Sequence, residues 1–446
     1  LKPGKLSTPK EPFRSISHQL ETTKIRQQHK FDVNKLQKYL SVKLRLSDNG
    51  SLSVRQYSTG QSNPTFLIQS SSTSYVLRKR PPGELLPGAH QVNREYRVQK
   101  ALFSAGFPVP QPLLHCTDTS IIGTEFYVMQ HVRGRIFRDL RLLEVTPAER
   151  SALYVAAVEV LAKLHSLELK SLDLEGFGKG PGYCRRQVST WTKQYVAAAH
   201  RDIPAMNELS DWLMKNLPDK DDEVTLVHGD MRLDNLVFHP TEARVIAVLD
   251  WELSTTGNLL ADLAYFLMPH YIPTNFSIAG LPAAADLISI YCSCRGTPTA
   301  LPHLNFYLAL SFFKMASISQ GIYARHLLGN ASAPNAAQFG QSVEPTAQIA
   351  LQLAKRFNPN ILFLQTAKGR AVLQQVKDFM QQHVLPAQEV GAKAKEAGLW
   401  NLFLPAVSGL SQLDYAYIAE ETGRCLFAPD VFNCQAPGET FFIKKR

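Results

Sequence analysis

His228-Gly229-Asp230-Met231-Arg232-Leu233-Asp234-Asn235 brings a carboxylate, a guanidinium and an amide into one short stretch. Further on, the apolar run Val245-Ile246-Ala247-Val248-Leu249 ends in Asp250. Phosphoryl transfer asks for this set: one carboxylate to orient and deprotonate an attacking hydroxyl, hard oxygen ligands for magnesium, and cations around the phosphates. Taken singly, each residue has a plainer explanation, His228 as a core histidine, Asp230 or Asn235 as a turn former. Taken together, they point to chemistry.

The spacing is that of a kinase catalytic loop, with Asp230 as base, Arg232 steadying the γ-phosphate and Asn235 and Asp250 holding Mg2+. Trp251-Glu252 stands where protein kinases carry Phe-Gly, which points to small-molecule rather than protein acceptors. Asp234 lies off the motif positions and reads as a structural or loop charge. Asp262, after Gly257, reads as a structural residue bonding backbone near the loop. ATP needs its own cradle, and Tyr57 to Asn63 lies between two expected strands where a phosphate-covering loop belongs. There Gly60 permits close backbone approach, and Ser62 and Asn63 are expected to donate to phosphate oxygens. Arg78 is the expected phosphate cation, with Lys79 and Arg80 as alternatives, and Glu95 on the next helix is its expected ion-pair partner. Gln130, His131 and Val132 close the last strand of this half and form the expected hinge for adenine.

These residues need a scaffold. Phe31-Asp32 caps an expected helix with Val33, Leu36, Tyr39 and Leu40 on its apolar face. Strands follow at 53–57, 65–69 and 74–80, giving three antiparallel strands, then a helix over 91–105 ending at Gly106 and a strand over 125–131. Thr146-Pro147-Ala148-Glu149 is a capping box opening a helix to about Leu167. Strands are expected at 224–227, 236–239 and 245–249, and helices at 259–268, 283–294 and 304–328, with a weakly patterned stretch over 329–342. The order implies an α+β, protein-kinase-like bilobal fold, with a small β-rich N-lobe at about 31–132 and a helical C-lobe at about 133–355, followed by a partial α-helical segment.

Composition sets the outer bounds. Among 446 residues, 45% are hydrophobic and 19% charged, a folding composition, and no apolar run reaches the length of a membrane span. The net charge of +10 comes from Lys and Arg spread along the chain without a nucleic-acid motif, so no nucleic-acid partner is expected. Arg185, Arg186 and Lys193 lean toward an anionic substrate. Six cysteines follow no disulfide spacing and suit a reducing compartment. Residues 1–30 read as a basic, disordered tail or an organellar presequence, and a chain beginning at Leu1 leaves room for residues upstream.

HGDMRLDN, VLDWE, the GQSNPTF loop, YVLRKRPPG and the helix bearing Arg94-Glu95 together resemble the aminoglycoside phosphotransferase (choline-kinase-like) superfamily over about residues 30–355. FSAGFPVPQPLLHC, GYCRRQVSTWTKQY and LVHGDMRLDNLVFHP resemble more closely the kinase portion of those acyl-CoA dehydrogenase family members in which such a domain precedes a dehydrogenase. GLWNLFLPAVSGLS and YAYIAEETGRC, within 361–437, look like the opening helical segment of that dehydrogenase, while the tail 438–446 diverges. The resemblance implies ATP- and Mg2+-dependent phosphorylation of the hydroxyl of a 4-hydroxyacyl-CoA, in a mitochondrial or peroxisomal setting. It also implies that FAD binding and dehydrogenation are absent, since the flavin domain and catalytic glutamate have no counterpart before Arg446. Two departures stand out: Arg78 replaces the usual Lys, and Gln130 stands where a hinge acid is common. A non-catalytic nucleotide-binding or scaffold module is the alternative reading, against which Asp230, Asn235 and Asp250 all stand intact.

Overall fold

The computed structural model describes residues 22–45, 52–58, 63–70, 73–82, 90–219, 224–272, 278–298, 301–329 and 335–356, with Gln375 and Asp378. The chain divides into two compact units, Leu1–Ala354 and Lys355–Arg446. The helix expected over 369–386 and the rest of the dehydrogenase-like segment lie outside the described residues, apart from Gln375 and Asp378.

The N-lobe is a sheet with helices on it. β1 (Thr22–Thr23) is followed by α1 (Val33–Leu44), whose N-cap Asp32 accepts from the backbone N–H groups of Asn34 and Lys35. Then come β2 (Ser53–Tyr57), β3 (Thr65–Gln69), β4 (Ser74–Lys79), α2 (Val92–Ser104), β5 (Pro112–Cys116), α3 (Thr119–Ile122) and β6 (Phe126–Gln130). They form one six-stranded sheet in the order β1-β2-β3-β4-β6-β5, with antiparallel pairing throughout. The four strands expected in this half fall short of the sheet by β1 and β5. β5 follows the prolines that end the α2 region, and Pro112 opens it at the sheet edge, where a missing N–H leaves no partner unsatisfied. The expected disordered tail is also too long, because Thr22 and Thr23 pair with Tyr57 and Gln56, and Arg55 donates to Thr22 Oγ1 at 2.8 Å.

Strand alternation sorts the side chains of β4. Tyr75 and Leu77 join Leu36, Leu40, Phe66 and Ile68 on the α1 side, while Val76 joins Val92, Tyr127 and Met129 on the α2 side. With a side-chain period of two, Arg78 follows Val76 toward α2, and Lys79 goes the other way, its Nζ 5.5 Å over the Phe31 ring. Of the three candidate cations, the pleat selects Arg78. Arg80 lies at the sheet margin, 3.8 Å from Glu125.

The C-lobe is mainly helical: α4 (Pro147–His165), α5 (Tyr183–Ala198), α6 (Pro204–Lys215), α7 (Leu259–Leu267), α8 (Ala284–Arg295), α9 (Leu304–Leu327) and α10 (Ala336–Arg356). Half of the capping box forms, with Thr146 Oγ1 accepting from Glu149 N at 3.2 Å, while the Glu149 carboxylate turns to Arg135 at 2.6 Å. α4 packs on α8, and α9 is flanked by α5, α6 and α7. Between α6 and α7 run β7 (Val224–Val227), β8 (Leu236–Phe238), β9 (Val245–Val248) and β10 (Thr255–Asn258), paired antiparallel as β7 with β10 and β8 with β9. Three helices escaped the sequence expectation, and each has a local reason. α5 and α6 begin at Gly182 and Pro204, which read as loop residues, and α10 carries Pro345 in its interior. β10, Thr-Thr-Gly-Asn, has too little apolar content to read as a strand.

One cap governs the helix that serves the site. Asn258 ends β10 and starts α7, its buried Oδ1 accepting from Leu260 N at 2.9 Å. Asn258→Ala should lower stability by about 1–2 kcal/mol, seen as a reduced urea midpoint at unchanged slope.

Candidate active site

The catalytic loop leaves β7 at Val227, and its first two N–H groups go to one carboxylate. Asp262, buried on α7, accepts from His228 N and, at 2.8 Å, from Gly229 N, and faces His165 Nε2 at 3.4 Å. Gly229 has φ +84 and would bring a Cβ to 2.5 Å from Leu253 O, so no other residue fits without moving that turn. Burial alone would raise the Asp262 pKa, but the bond and charge of His165 and the Gly229 N–H together hold it below the usual carboxylate range.

His228 holds Asp230 from beneath. Its Nε2 donates to Leu249 O at 2.8 Å, which leaves Nδ1 as the acceptor for Asp230 N–H at 3.2 Å, and its ring lies against Trp251 with centroids 4.6 Å apart. Asn235 Nδ2 donates to Asp230 O at 2.9 Å and to Asp230 Oδ2 at 3.2 Å. Tyr265 of α7 faces both Asp230 and Arg232 and feels the charge of each. The Asp230 carboxylate therefore has fixed neighbours. Leu249 N donates to Asn235 O at 2.8 Å, so Asn235 sits across the β8–β9 hairpin from the strand end leading to Asp250. Asp250 has φ 64 and ψ 63, a left-handed conformation that is strained for a residue with a side chain.

From the N-lobe side comes Arg78. Its NH1 donates to Asp250 Oδ1 at 3.0 Å, NH2 lies 3.6 Å from Glu252 Oε2, and Nε lies 3.3 Å from Glu95 Oε2 without hydrogen-bond geometry. The expected Arg78–Glu95 pair is thus one arm of a larger cluster. Burial pushes the Glu95 pKa up, more strongly than Arg78 pulls it down, and Asp250 adds to the rise. Tyr127 OH donates to Glu95 Oε2 at 2.9 Å.

Several expected site residues take other places. Asn63 was expected on phosphate oxygens, but it is buried and its Nδ2 donates to Glu95 Oε1 at 2.6 Å and to Glu252 Oε2 at 3.3 Å. It orients the two glutamates instead. Gly60 and Ser62 lie outside the described residues. Arg232 donates to both oxygens of Asp234, at 2.9 Å from Nε to Oδ1 and more closely from NH2 to Oδ2, so Asp234 is its partner and not a bystander. At the hinge, Gln130 N donates to Gln111 O and His131 N to Ser74 O, which makes Val132 the first residue beyond the sheet pairing. Arg186 donates to Gly180 O at 2.6 Å and to Pro181 O, closing its own loop, while Arg185 and Lys193 are exposed on α5.

Three residues beside the loop were not singled out by the sequence, Tyr265, Trp191 and Lys314, and Glu252 was read only as a departure from Phe-Gly and not as a partner of Arg78. Lys314 Nζ donates to Gly229 O and lies 4.5 Å over the Tyr265 ring and 5.6 Å over the Trp191 ring. A signal existed. Between Leu304 and Tyr323, Lys314 is the one Lys, Arg, Asp or Glu in an otherwise apolar and neutral helix.

Because the Asp262 pKa is depressed in the folded state, its contribution to stability is complete above the ordinary carboxylate pKa and disappears as pH falls through the folded value. Asp262→Asn should accordingly cost about 3 kcal/mol at neutral pH, as expected for a broken buried charged pair, and the difference from the unmodified protein should narrow below about pH 4. Urea unfolding of both proteins at several pH values checks this.

Known proteins show the same frame. A family model described as phosphotransferase enzyme family matches residues 53–296. A solved putative aminoglycoside phosphotransferase from Ralstonia eutropha JMP134 is 38% identical, with a TM-score of 0.65 over 73% of this chain and 99% of that one. Acyl-CoA dehydrogenase family member 11 from Gallus gallus is 58% identical over 93% of this chain and 60% of its own length, and the Homo sapiens protein of that name 56% identical over 92% and 58%. The chain spans about three-fifths of the length of those relatives. With a bilobal kinase-like fold, a family model that matches more than half of the chain and a solved relative covered almost end to end, the chain belongs to the aminoglycoside phosphotransferase family of phosphotransferase enzymes.

Proposed function

We propose that this chain transfers the γ-phosphate of ATP to the hydroxyl of a 4-hydroxyacyl-CoA. The observation that carries the kinase part is the seating of Asp230, with His228 Nδ1 at its N–H and Asn235 at its carboxylate and carbonyl. A carboxylate so fixed is ready to take a hydroxyl proton. The acceptor class rests on relatives named for acyl-CoA chemistry, at 53–58% identity, which cover most of this chain.

In the reaction, the acceptor oxygen forms a bond to phosphorus as the bond from phosphorus to the ADP oxygen breaks. The hydroxyl proton passes to Asp230, and ADP leaves. Asp250 and Asn235, adjacent across the β8–β9 hairpin, offer hard oxygen donors for magnesium, and the Arg78 cluster, one cation among three carboxylates, has an excess of negative charge for a divalent ion to offset. Magnesium bound there supplies charge neutralisation to the phosphate oxygens. Arg78, reached by phosphates from the N-lobe side, holds the donor, and its planar fork suits that role as well as a lysine would. A solved hygromycin-type relative, APH(4)-Ia, shares the fold at 17% identity and a TM-score of 0.50, and its ternary complex contains AMP-PNP, which fits ATP as donor.

Incubated with γ-labelled ATP, magnesium and a 4-hydroxyacyl-CoA, the protein should label the acyl ester on its hydroxyl. Asp230→Asn should lower kcat by about 10²- to 10⁴-fold. Undiminished transfer by that variant, or absence of transfer to any hydroxyacyl-CoA by the unmodified protein, overturns the proposal.

A further inference from the structure

Lys314 is a charge in an expensive place. Its helix, α9, is packed between α5, α6 and α7 and is otherwise apolar along most of its length. Burial lowers the lysine's pKa, while Asp230 and Asp262 work to keep it charged and Arg232 opposes them. One hydrogen-bonded carbonyl, Gly229 O, and two aromatic faces, Tyr265 and Trp191, complete its surroundings. A side chain needed only to cap a carbonyl does not require a full charge there. An ammonium beside the base is better explained by something it meets when the acceptor arrives.

The position says what that is. Arg78 approaches the site from β4, on the N-lobe side, whereas Lys314 and Trp191 approach from α9 and α5 of the helical lobe. Lys314 is bonded to the residue just before Asp230, lies over the ring of Tyr265 and feels the Asp230 charge directly. Any hydroxyl presented to Asp230 therefore brings its neighbouring atoms near this ammonium. Lys314 and Trp191 each keep part of their surface exposed, while the ammonium itself is buried, so an acceptor that reaches Asp230 would meet it away from bulk water. Two aromatic rings in this arrangement would otherwise make a good receptor for a cationic acceptor. Here the protein's own cation already fills it.

We propose that Lys314 is the specificity-determining cation of the acceptor subsite, hydrogen-bonding a carbonyl or carboxylate oxygen close to the accepting hydroxyl and repelling acceptors whose hydroxyl adjoins an ammonium. The inference rests on the reading of Asp230 as the base that engages an acceptor hydroxyl, and it deepens that reading by assigning the charge the acceptor must have. A thioester carbonyl a few carbons from a hydroxyl meets the requirement; an amino alcohol does not.

Steady-state transfer of labelled phosphate is compared for the unmodified protein, Lys314→Met and Lys314→Arg, varying ATP and a 4-hydroxyacyl-CoA separately. Lys314→Met keeps the apolar stem over the two rings, and a thermal melt checks that it folds. Loss of one charge-assisted hydrogen bond should raise the acceptor KM by about 10- to 100-fold, with the ATP KM unchanged and much of the loss recovered in Lys314→Arg. An unchanged acceptor KM in Lys314→Met, or a fall in kcat alone, assigns the lysine to holding the loop and overturns the proposal. A parallel panel of hydroxycarboxylates and amino alcohols separates the two readings. If the unmodified protein phosphorylates hydroxycarboxylates but no coenzyme A ester, the hydroxyacyl-CoA reading fails and the role of Lys314 stands. Preference for amino alcohols overturns the role of Lys314 whatever the ester result.

Discussion

The buried guanidinium of Arg78 cannot shed its charge, and much of the site follows from that. A strand of the N-lobe carries it inward, and three carboxylates from separate places meet it: Glu95 from α2, Asp250 from the end of β9 and Glu252 from the turn beyond. Two of the three belong to the C-lobe, so balancing the charge also fixes how the lobes meet. Removing Arg78 would leave the carboxylates of the cluster uncompensated, at a cost of about 3–5 kcal/mol. The surrounding polar groups serve the same end, with Asn63 tying Glu95 to Glu252 and Gln99 donating to the Tyr127 hydroxyl that holds Glu95. Arg94, one residue before Glu95, adds a second tie by donating to Phe177 O at 2.7 Å and Ser254 O at 3.3 Å.

An arginine rather than a lysine follows from the same cluster. A lysine presents one point of charge, whereas the planar fork directs separate N–H groups to separate acceptors. Here NH1, NH2 and Nε each face a different carboxylate. Under the kinase reading, Asp250 has two roles: a partner for Arg78 in the absence of nucleotide and a metal ligand in its presence. Phosphate oxygens entering beside Arg78 replace the carboxylate they displace, so the guanidinium stays paired throughout. The left-handed backbone at Asp250 costs about 1–3 kcal/mol and persists because Trp251, pinned by its Nε1 bond to Val248 O and by His228, leaves the turn no other path.

Much of this was legible from local pattern, and the exceptions share a cause. The catalytic loop, the strand before Asp250, the Thr146 capping box and the Arg78–Glu95 pairing are short-range signals, or a pairing set by strand alternation and the next helix. Asn63 was misread because position between two strands says where a residue is, not which way its amide turns. Arg232 was paired with a phosphate because the motif offset says nothing about its neighbour Asp234. Lys314, Trp191 and Tyr265 escaped because they reach the loop from helices remote in sequence, α9, α5 and α7, where each reads as part of a packed face. β5 and α10 were hidden by prolines whose cost depends on tertiary context, an edge position in one case and a tolerated helix interior in the other.

The division of labour between Asp230 and Asp262 is set by one helix face. Asp262 and Tyr265 are three residues apart on α7 and therefore lie on the same side of it. Asp262 takes the backbone N–H groups of His228 and Gly229, and Tyr265 faces Asp230, so a single turn of helix holds the path of the loop and borders its carboxylate. Asp262 is buried among donors, which keeps it ionised and makes it a poor proton acceptor, whereas Asp230 is half-buried at the cleft. The rotation of α7 about its axis is fixed in turn where it begins, at the Asn258 cap that follows directly from β10, the strand paired with β7. β7 carries the catalytic loop, so clamp and loop spring from neighbouring strands of one ladder, and their registration is settled by backbone pairing before any side chain of the site is placed.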